Sequence, residues 1–221
     1  MKSFLVVIGD IISSRDVEQR HALQNRLEDT FQVLNGRPSR DEDQNGSALL
    51  SPFTLTLGDE FQAVYTGADT LFRDALYILE QVHPHRVRFS FGVGSIETDI
   101  NRQQAIGMDG KAFHRARDGI DKLKTHREEY QFSLMGMADP ALNQLFNHTL
   151  HLISNLLQSW HKNRLVVLRK RMDGVSVKHI AQELEISTTA VYRNIYAGNI
   201  RELMEIFTSM TERINRDLGD S

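Results

Sequence analysis

The feature that most restricts the fold is a short, uninterrupted apolar segment close to the first residue. Phe4 to Ile8 is rich in branched side chains, and an acid, Asp10, follows two residues later. A continuous apolar run of this length is typical of a strand that is buried on both faces. We therefore predict a sheet with this strand in its middle.

The segments that follow predict the other elements of this sheet. A helix is indicated by the spacing of Leu23, Leu27, Phe31 and Leu34, and a hairpin by "LTLGDEFQAVY". A second helix, the strand "VRFSFGVGSI", a third helix and the strand "YQFSLM" complete the order β-α-β-β-α-β-α-β. This order predicts an α+β fold of the palm or ferredoxin-like type, with an antiparallel sheet and helices on one face.

Two acids lie at the tip of the predicted hairpin. Gly58 and Asp59 suit a two-residue turn of type II′, and Glu60 follows directly. In a palm-type sheet the hairpin is the neighbour of the first strand, so Asp10 is expected close to Asp59. Carboxylates held together repel unless a proton or cation lies between them, and Mg²⁺ suits such a site. Taken singly, each acid also fits a solvated turn or strand end.

A phosphate site is expected beside these acids. After Asp10 the chain continues through Ile11, Ile12, Ser13 and Ser14 towards the start of a helix, where free N–H groups and the helix dipole favour anions. Because the chain has no Cys, a metal here must use oxygen or imidazole ligands. The candidate ligands are Mg²⁺ or Mn²⁺ with a nucleoside triphosphate; further candidate contacts are Gly58 and Lys111.

The C-terminal part is helical from Asp139 onward. The segment "SVKHIAQELEISTTAVYRNI" matches a helix-turn-helix, in which Ile180, Ala181 and Leu184 face inward and Ser187 caps the second helix. We predict a palm-like domain at 1–136, a linking helix at 137–160 and a helix-turn-helix module at 161–221.

Charge favours double-stranded DNA as the partner of this module. Residues 161–201 hold eight Lys and Arg but three Asp and Glu, although the whole chain has a net charge of -3. The second helix would enter the major groove of the DNA, and the Lys and Arg side chains that precede it would contact DNA phosphates. The residues predicted to contact DNA are Arg169, Lys170, Arg171, Lys178, Ser187, Thr188, Thr189, Tyr192 and Arg193. A protein-contact or dimer module is the alternative, and the apolar pattern of 195–214 predicts pairing into a homodimer.

Several motifs resemble a known class of enzymes. "VVIGDIISSR", "TLTLGDEFQAVY", "RVRFSFGVGSI" and "GKAFHRAR" are similar to the catalytic core of class III nucleotidyl cyclases and, more distantly, to GGDEF domains. The whole chain most resembles the bacterial SatD family. The cyclase resemblance implies that Asp10, Asp59 and the carbonyl of Ile11 bind two divalent ions for phosphoryl chemistry; Glu60 is a further candidate ligand.

The same resemblance assigns positions to the other catalytic groups. Where cyclases carry an Asn and an Arg that stabilise the transition state, this chain has His114 and Asp118, with Arg117 one residue early. Leu55 occupies the position of a base-reading Lys, and Leu57 that of a GGDEF glycine. The candidate catalytic residues are therefore Asp10, Asp59, His114 and Arg117.

These observations predict a DNA-binding regulator whose palm-like domain binds a nucleotide and a divalent cation. An active nucleotidyl cyclase or nucleotidyltransferase is the first alternative, and a catalytically inactive dimer scaffold is the second. No segment has the length of a signal peptide core or a membrane span, so a cytoplasmic location is expected.

Overall fold

The computed structural model describes residues 2–12, 17–38, 46–56, 58–125 and 131–219. Within these residues the chain alternates strands and helices as far as β5 and is helical afterwards. The elements are β1 (Ser3–Ile11), α1 (Val17–Asn35), β2 (Leu49–Leu55), β3 (Glu60–Tyr65), α2 (Leu71–Val82), β4 (Val87–Ser95), α3 (Lys111–Thr125), β5 (Phe132–Met135), α4 (Pro140–Gln158), α5 (Lys162–Met172), α6 (Val177–Glu183), α7 (Thr188–Ala197) and α8 (Ile200–Gly219).

The strands form one sheet in the order β2-β3-β1-β4-β5. The first strand is central and pairs antiparallel with both β3 and β4, which confirms its predicted place beside the hairpin. The expectation of a wholly antiparallel sheet is wrong, because β5 pairs parallel with β4. The connection between these two strands contains α3, which returns the chain to the end of the sheet where β4 begins.

Helices cover both faces of the sheet. Leu5 and Val7 of β1 belong to a core with residues of α1 and α2, whereas Val6 and Ile8 pack with residues of α3 on the opposite face. The α+β class is thus confirmed, but the expected placement of the helices on one face is wrong. A strand that is apolar on both sides needs cover on both sides.

The helix α3 lies unusually close to β4. A Cβ atom at Gly92 would be 2.1 Å from the carbonyl oxygen of Ala112, and one at Gly119 would be 2.0 Å from Ser90 Oγ. Gly94 faces the start of α3 in the same way, with Lys111 Cβ at 3.1 Å. The helix therefore runs antiparallel to β4, and its last turn reaches the end of the sheet where β4 begins and β1 ends.

The C-terminal helices pack on the core of the sheet. Phe207 of α8 stacks on Phe72 of α2 with ring centroids 4.7 Å apart, and Phe72 meets Phe91 of β4 at 5.8 Å. Most of the side chains predicted to pair two subunits are buried within the chain, and Met204 and Ile206 are half-buried; the buried ones are Ile195, Ile200, Leu203, Phe207, Met210 and Ile214. The division at 136 and 160 stays a prediction, since the buried residues on its two sides form one continuous core.

Among the described helices, none combines the length and the apolar character that crossing a membrane requires.

Candidate functional site

Two acids and a base lie side by side where β1 ends. Asp10 is directly opposite Glu60 of β3 on one side and Arg88 of β4 on the other. Residues opposite each other on neighbouring antiparallel strands point to the same face of the sheet. This face is the one that α3 covers, so the helix can add side chains to the three strand residues.

Bases from the sheet and from α3 neutralise the two acids. Arg88 Nη1 donates to Asp10 Oδ2 at 2.9 Å, and Arg117 donates to both carboxylate oxygens of Glu60 at 2.6 and 2.7 Å. The ammonium of Lys124 lies between the acids, 3.5 Å from Asp10 Oδ1 and 3.9 Å from Glu60 Oε2. We call these five residues, Asp10, Glu60, Arg88, Arg117 and Lys124, the β1-end cluster.

The charge states of the Glu60–Arg117 pair reinforce each other. Burial by itself would raise the pKa of Glu60, but the hydrogen bonds and the charge of Arg117 outweigh it and lower that pKa. The hydrogen bonds to Glu60 in turn raise the pKa of Arg117. Both residues are therefore charged at neutral pH, and their bidentate contact is a strong one.

The hairpin tip places Asp59 next to Glu60, at the same end of the sheet as Asp10. Thr56 N–H donates to the carbonyl oxygen of Glu60 at 2.9 Å, so three residues lie between the paired positions and the predicted two-residue turn is wrong. Gly58 has a φ of 69°, which glycine adopts without strain. Its carbonyl oxygen accepts a hydrogen bond from Gln24 Nε2 at 2.6 Å. Ligation of a metal by Asp10, Ile11, Asp59 and Glu60 stays a prediction.

The acids of this site are too few to enclose a metal ion by themselves. Within the described part of the chain, no group of three or more His, Asp or Glu residues is arranged to hold a metal ion. Asp10 and Glu60 offer carboxylate oxygens on both sides of the cation that Lys124 provides. Since Mg²⁺ commonly takes one or two carboxylates and completes its shell with water and substrate phosphates, the residues fit a metal–nucleotide complex better than a bare ion.

The predicted phosphate contacts are only partly brought to this site. The N–H group of Ile12 donates to the carbonyl oxygen of Arg86 at 2.9 Å, so it is engaged within the chain, and a contact of Ile12 with phosphate stays a prediction. Ser13 and Ser14 lie outside the described residues. Ile11 is buried, and its side chain belongs to the core on the other face.

Two further candidate site residues, Lys111 and His114, lie near the N-terminal end of α3, away from the β1-end cluster. His114 Nε2 is 2.8 Å from Asp109 Oδ1, and Lys111 is the first residue of the helix, beside Gly94. Ten residues of helix separate His114 from Lys124, which is about 15 Å along the axis. Within one chain, therefore, Arg117 joins the acids but Lys111 and His114 do not.

Arg88 and Lys124 are the site residues that sequence reasoning missed. Arg88 is the single base in the predicted strand "VRFSFGVGSI", and Lys124 follows Arg117 by seven residues. A spacing of seven residues is two helical turns and puts both bases on one face of α3. These signals were present in the sequence, but they indicate a site only when the register of β4 and the position of α3 are known.

The segment predicted to be a helix-turn-helix contains two helices, α6 and α7, and its assignment as a DNA-binding module stays a prediction. Ser187 caps α7, because its Oγ accepts a hydrogen bond from Ala190 N–H at 3.1 Å, and Val191 and Ile180 are buried between the two helices. Glu185 makes the bend with a φ of 54°, in the left-handed region that glycine occupies more easily.

The residues predicted to contact DNA divide into two groups. Ser187, Thr188, Thr189, Tyr192 and Arg193 are exposed along α7, and Lys178 is exposed on α6. The bases of α5 are engaged within the chain. Lys170 pairs with Glu183 at 2.6 Å, and Arg171 donates to the carbonyl oxygen of Val175 at 2.6 Å.

Arg169 is turned towards the interior of the chain. Its side chain is 12% exposed, and its Nε donates to Glu80 Oε2 of α2 at 2.7 Å. The guanidinium therefore lies between α5 and α2 and not on the exposed face of α7, and its predicted contact with a DNA phosphate stays a prediction.

Two solved structures are similar to part of the chain. One is described as the catalytic core of a rhodopsin-guanylyl cyclase with converted specificity in complex with ATPalphaS; it has 17% identity and a TM-score of 0.36 and covers 53% of this chain and 71% of its own. The other is a bacterial light-regulated adenylyl cyclase with 16% identity and a TM-score of 0.38, covering 60% of this chain and 75% of its own. No curated protein matches the sequence. The model of the SatD family matches residues 4–208, and the chain therefore belongs to the SatD family.

Proposed function

We propose that the chain binds a nucleoside triphosphate together with Mg²⁺ or Mn²⁺ at the β1-end cluster. The observation that carries this proposal is the position of the Lys124 ammonium between the carboxylates of Asp10 and Glu60, at 3.5 and 3.9 Å. A cation already lies between the acids, so the gap has the negative charge that attracts a metal ion; Mg²⁺, whose bonds to oxygen are shorter, would draw the carboxylates closer or bridge to them through water.

Lys124 is a cation that can be replaced. Its side chain is 41% exposed and its contacts are long for ion pairs, whereas Arg88 is 11% exposed and bonded to Asp10 at 2.9 Å. A divalent ion bound there would neutralise both the carboxylates and the phosphates of the nucleotide. Lys124, released from the acids, would then be free to contact a phosphate.

Binding is favoured over turnover by the state of Arg117. Both ends of its guanidinium are held by Glu60, and His114 lies at the other end of α3. Neither residue is placed to stabilise charge that develops on a phosphate beside Asp10 within one chain. A nucleotidyl cyclase or nucleotidyltransferase is the alternative function, and a direct assay separates the two.

Calorimetric titration of the chain with ATP and GTP in the presence of Mg²⁺ tests the binding proposal. Asp59→Asn is expected to weaken metal-dependent binding about tenfold or more, because it removes one carboxylate from the turn. Asp99→Asn is the matched control, since Asp99 is an exposed acid on a different loop. Equal affinities for Asp59→Asn and the parent would exclude Asp59 as a ligand, and absence of metal-dependent nucleotide binding by the parent would remove the site.

Incubation with labelled ATP and GTP plus Mg²⁺ or Mn²⁺ tests turnover. We expect the nucleotide to be recovered unchanged. A cyclic or linear product that the parent makes and Asp10→Ala does not would establish the enzymatic alternative instead.

A second function, binding of double-stranded DNA by α6 and α7, is favoured by the exposed face of α7. Thr188, Thr189, Tyr192 and Arg193 point to solvent from a helix whose opposite side is buried, the arrangement that a recognition helix requires. With the first proposal it makes the chain a nucleotide-responsive DNA-binding regulator. A protein-contact surface is the alternative for the same face.

A gel-shift titration against a pool of duplexes tests this second function. Arg193→Ala is expected to weaken binding and to reduce the salt slope by about one unit if Arg193 contacts a phosphate. Arg26→Ala, a change of an exposed base on α1, is the control. If parent and Arg193→Ala shift the duplexes equally, α7 is not the DNA-binding helix.

A homodimer remains part of the proposal, with α4 now the better candidate surface than α8. Leu145 and Leu152 are 59% and 71% exposed, and their seven-residue spacing puts them on one face of the helix. Light scattering should give a dimer for the parent and a monomer for the variant with both leucines changed to Glu. A parent that is monomeric at every concentration would exclude the dimer.

A further inference from the structure

A cavity lies where α2 of the sheet region meets α5 of the C-terminal helices. Its volume is about 340 Å³, and its lining includes three arginines from three different parts of the chain. We call it the junction cavity; the residues that matter here are Arg37, Ser47, Thr70, Arg73, Arg169 and Asp173. Arg37 follows α1, Arg73 belongs to α2 and Arg169 to α5, so the three bases converge although they are far apart in sequence.

Carboxylates and an aromatic ring fix the positions of these guanidinium groups. Arg37 Nη1 donates to Asp74 Oδ1 at 2.5 Å, and the ring of Tyr77 lies under both Arg37 and Arg169, at 5.8 and 5.1 Å. Arg73 and Arg169 share Asp173, at 3.4 and 3.3 Å. Guanidinium groups held in this way bind a further anion without first losing freedom of movement.

The described residues that line the cavity carry an excess of positive charge. Its described lining holds three arginines and one acid, Asp173. The other acids that balance the arginines lie beneath the surface, since Asp74 and Glu80 have side chains that are 3% and 8% exposed. Only one donor of Arg37, Nη1, forms a hydrogen bond with a described residue, so its other N–H groups can serve a ligand.

A buried hydroxyl faces the same cavity. Thr70 is 5% exposed, and its Oγ1 lies near the carboxylate of Asp74 but forms no hydrogen bond of normal geometry with a described residue. Thr70 also precedes α2, whose first turn adds the positive end of the helix dipole. The hydroxyl can therefore donate to a ligand oxygen in the cavity.

We propose that the junction cavity binds a small phosphate-bearing anion of about the size of pyrophosphate. Arginine pairs with phosphate oxygens through two parallel hydrogen bonds, and the volume is at the lower end of that of small-molecule sites. A bound anion would join α2 to α5, the helix that precedes α6 and α7. The site is separate from the β1-end cluster and needs no divalent cation.

Calorimetric titration of the full chain with sodium pyrophosphate in EDTA tests this proposal, with inorganic phosphate and sulfate as further probes. We expect pyrophosphate to bind more tightly than phosphate or sulfate, and Arg73→Gln to weaken its binding about tenfold or more. Thr70→Val keeps the shape of the side chain without its hydroxyl and should cost a few-fold. Arg26→Gln, at an exposed base outside the cavity, should bind as the parent does.

Arg73→Gln should fold normally, because Arg73 and Asp173 are both one-third exposed. Asp59→Asn, which weakens the proposed metal–nucleotide site, should leave pyrophosphate binding in EDTA unchanged, so the two proposals can fail independently. Absence of pyrophosphate binding, or equal binding by the parent and Arg73→Gln, would overturn the proposal.

Discussion

The β1-end cluster and the junction cavity contain similar charges but differ in how firmly the bases are held. Each contains two largely buried acids that are paired with bases, Asp10 and Glu60 in the first and Asp74 and Glu80 in the second. The ammonium of Lys124 bridges two acids loosely, at 3.5 and 3.9 Å, whereas Arg169 is bonded to Glu80 at 2.7 Å and packed on Tyr77. A loosely held base can give way to a metal ion, while firmly held bases can accept an additional anion. The freedom of the bases, more than the number of charges, thus decides which ligand each site suits.

Among the variants that test how firmly the bases are held, Arg169→Met is expected to lower the free energy of unfolding most. It leaves Glu80, whose side chain is 8% exposed, without its guanidinium partner. Breaking a buried ion pair typically lowers the free energy of unfolding by about 3–5 kcal/mol, which urea denaturation measures. The double variant Arg169→Met with Glu80→Leu should recover most of the loss. A loss below about 1 kcal/mol in the single variant would show that this pair is not held firmly.

Arg88→Met is expected to have a smaller effect, of about 1–3 kcal/mol. It removes the 2.9 Å hydrogen bond to Asp10, but Lys124 remains close to the same carboxylate and offsets part of the loss. Urea denaturation of this variant and of Arg169→Met under the same conditions compares the two sites directly. An effect as large as that of Arg169→Met would mean that Lys124 cannot compensate.

Glu60→Gln tests the Glu60–Arg117 pair of the β1-end cluster through the pH dependence of the free energy of unfolding. Because Arg117 is 44% exposed, the loss of unfolding free energy at pH 7 should be about 1 kcal/mol or less. The pKa of Glu60 is lowered from 4.5, so the pair stabilises the fold above that value and loses its effect as pH falls through the lower folded-state pKa. The difference between parent and variant should therefore be constant near neutral pH and shrink in acid. A difference that grows in acid would contradict the lowered pKa.

Lys124→Met is expected to change stability least, by less than about 0.5 kcal/mol, because the ammonium is exposed and loosely placed. It should nevertheless strengthen the binding of Mn²⁺ alone, since it removes the competing cation, and weaken the binding of nucleotide with Mn²⁺. Calorimetry with Mn²⁺, with and without ATP, measures both. If the affinities for Mn²⁺ alone and for ATP with Mn²⁺ are both unchanged, the ammonium of Lys124 does not occupy the position at which the metal binds.

The elements that the sequence predicted are those determined by neighbouring residues. The run from Phe4 to Ile8 is apolar on both faces and so had to be central, and the cap at Ser187 depends on a residue three positions away. The ion pair of Arg169 could not be predicted in this way, because its partner, Glu80, is 89 residues distant in sequence. The role of Lys124 likewise depends on how α3 crosses the sheet.

Gly92 and Gly119 make the site sensitive to changes that lie outside it. Because α3 is in direct contact with β4 at both glycines, any displacement of this helix moves Arg117 and Lys124 together. Gly92 is four residues, or about 13 Å of strand, from Arg88. A single methyl group added at Gly92 would push α3 away from β4 and so move Arg117 and Lys124 together away from Glu60 and Asp10. The charge balance at the end of β1 is in this sense set by two positions that bear no charge themselves.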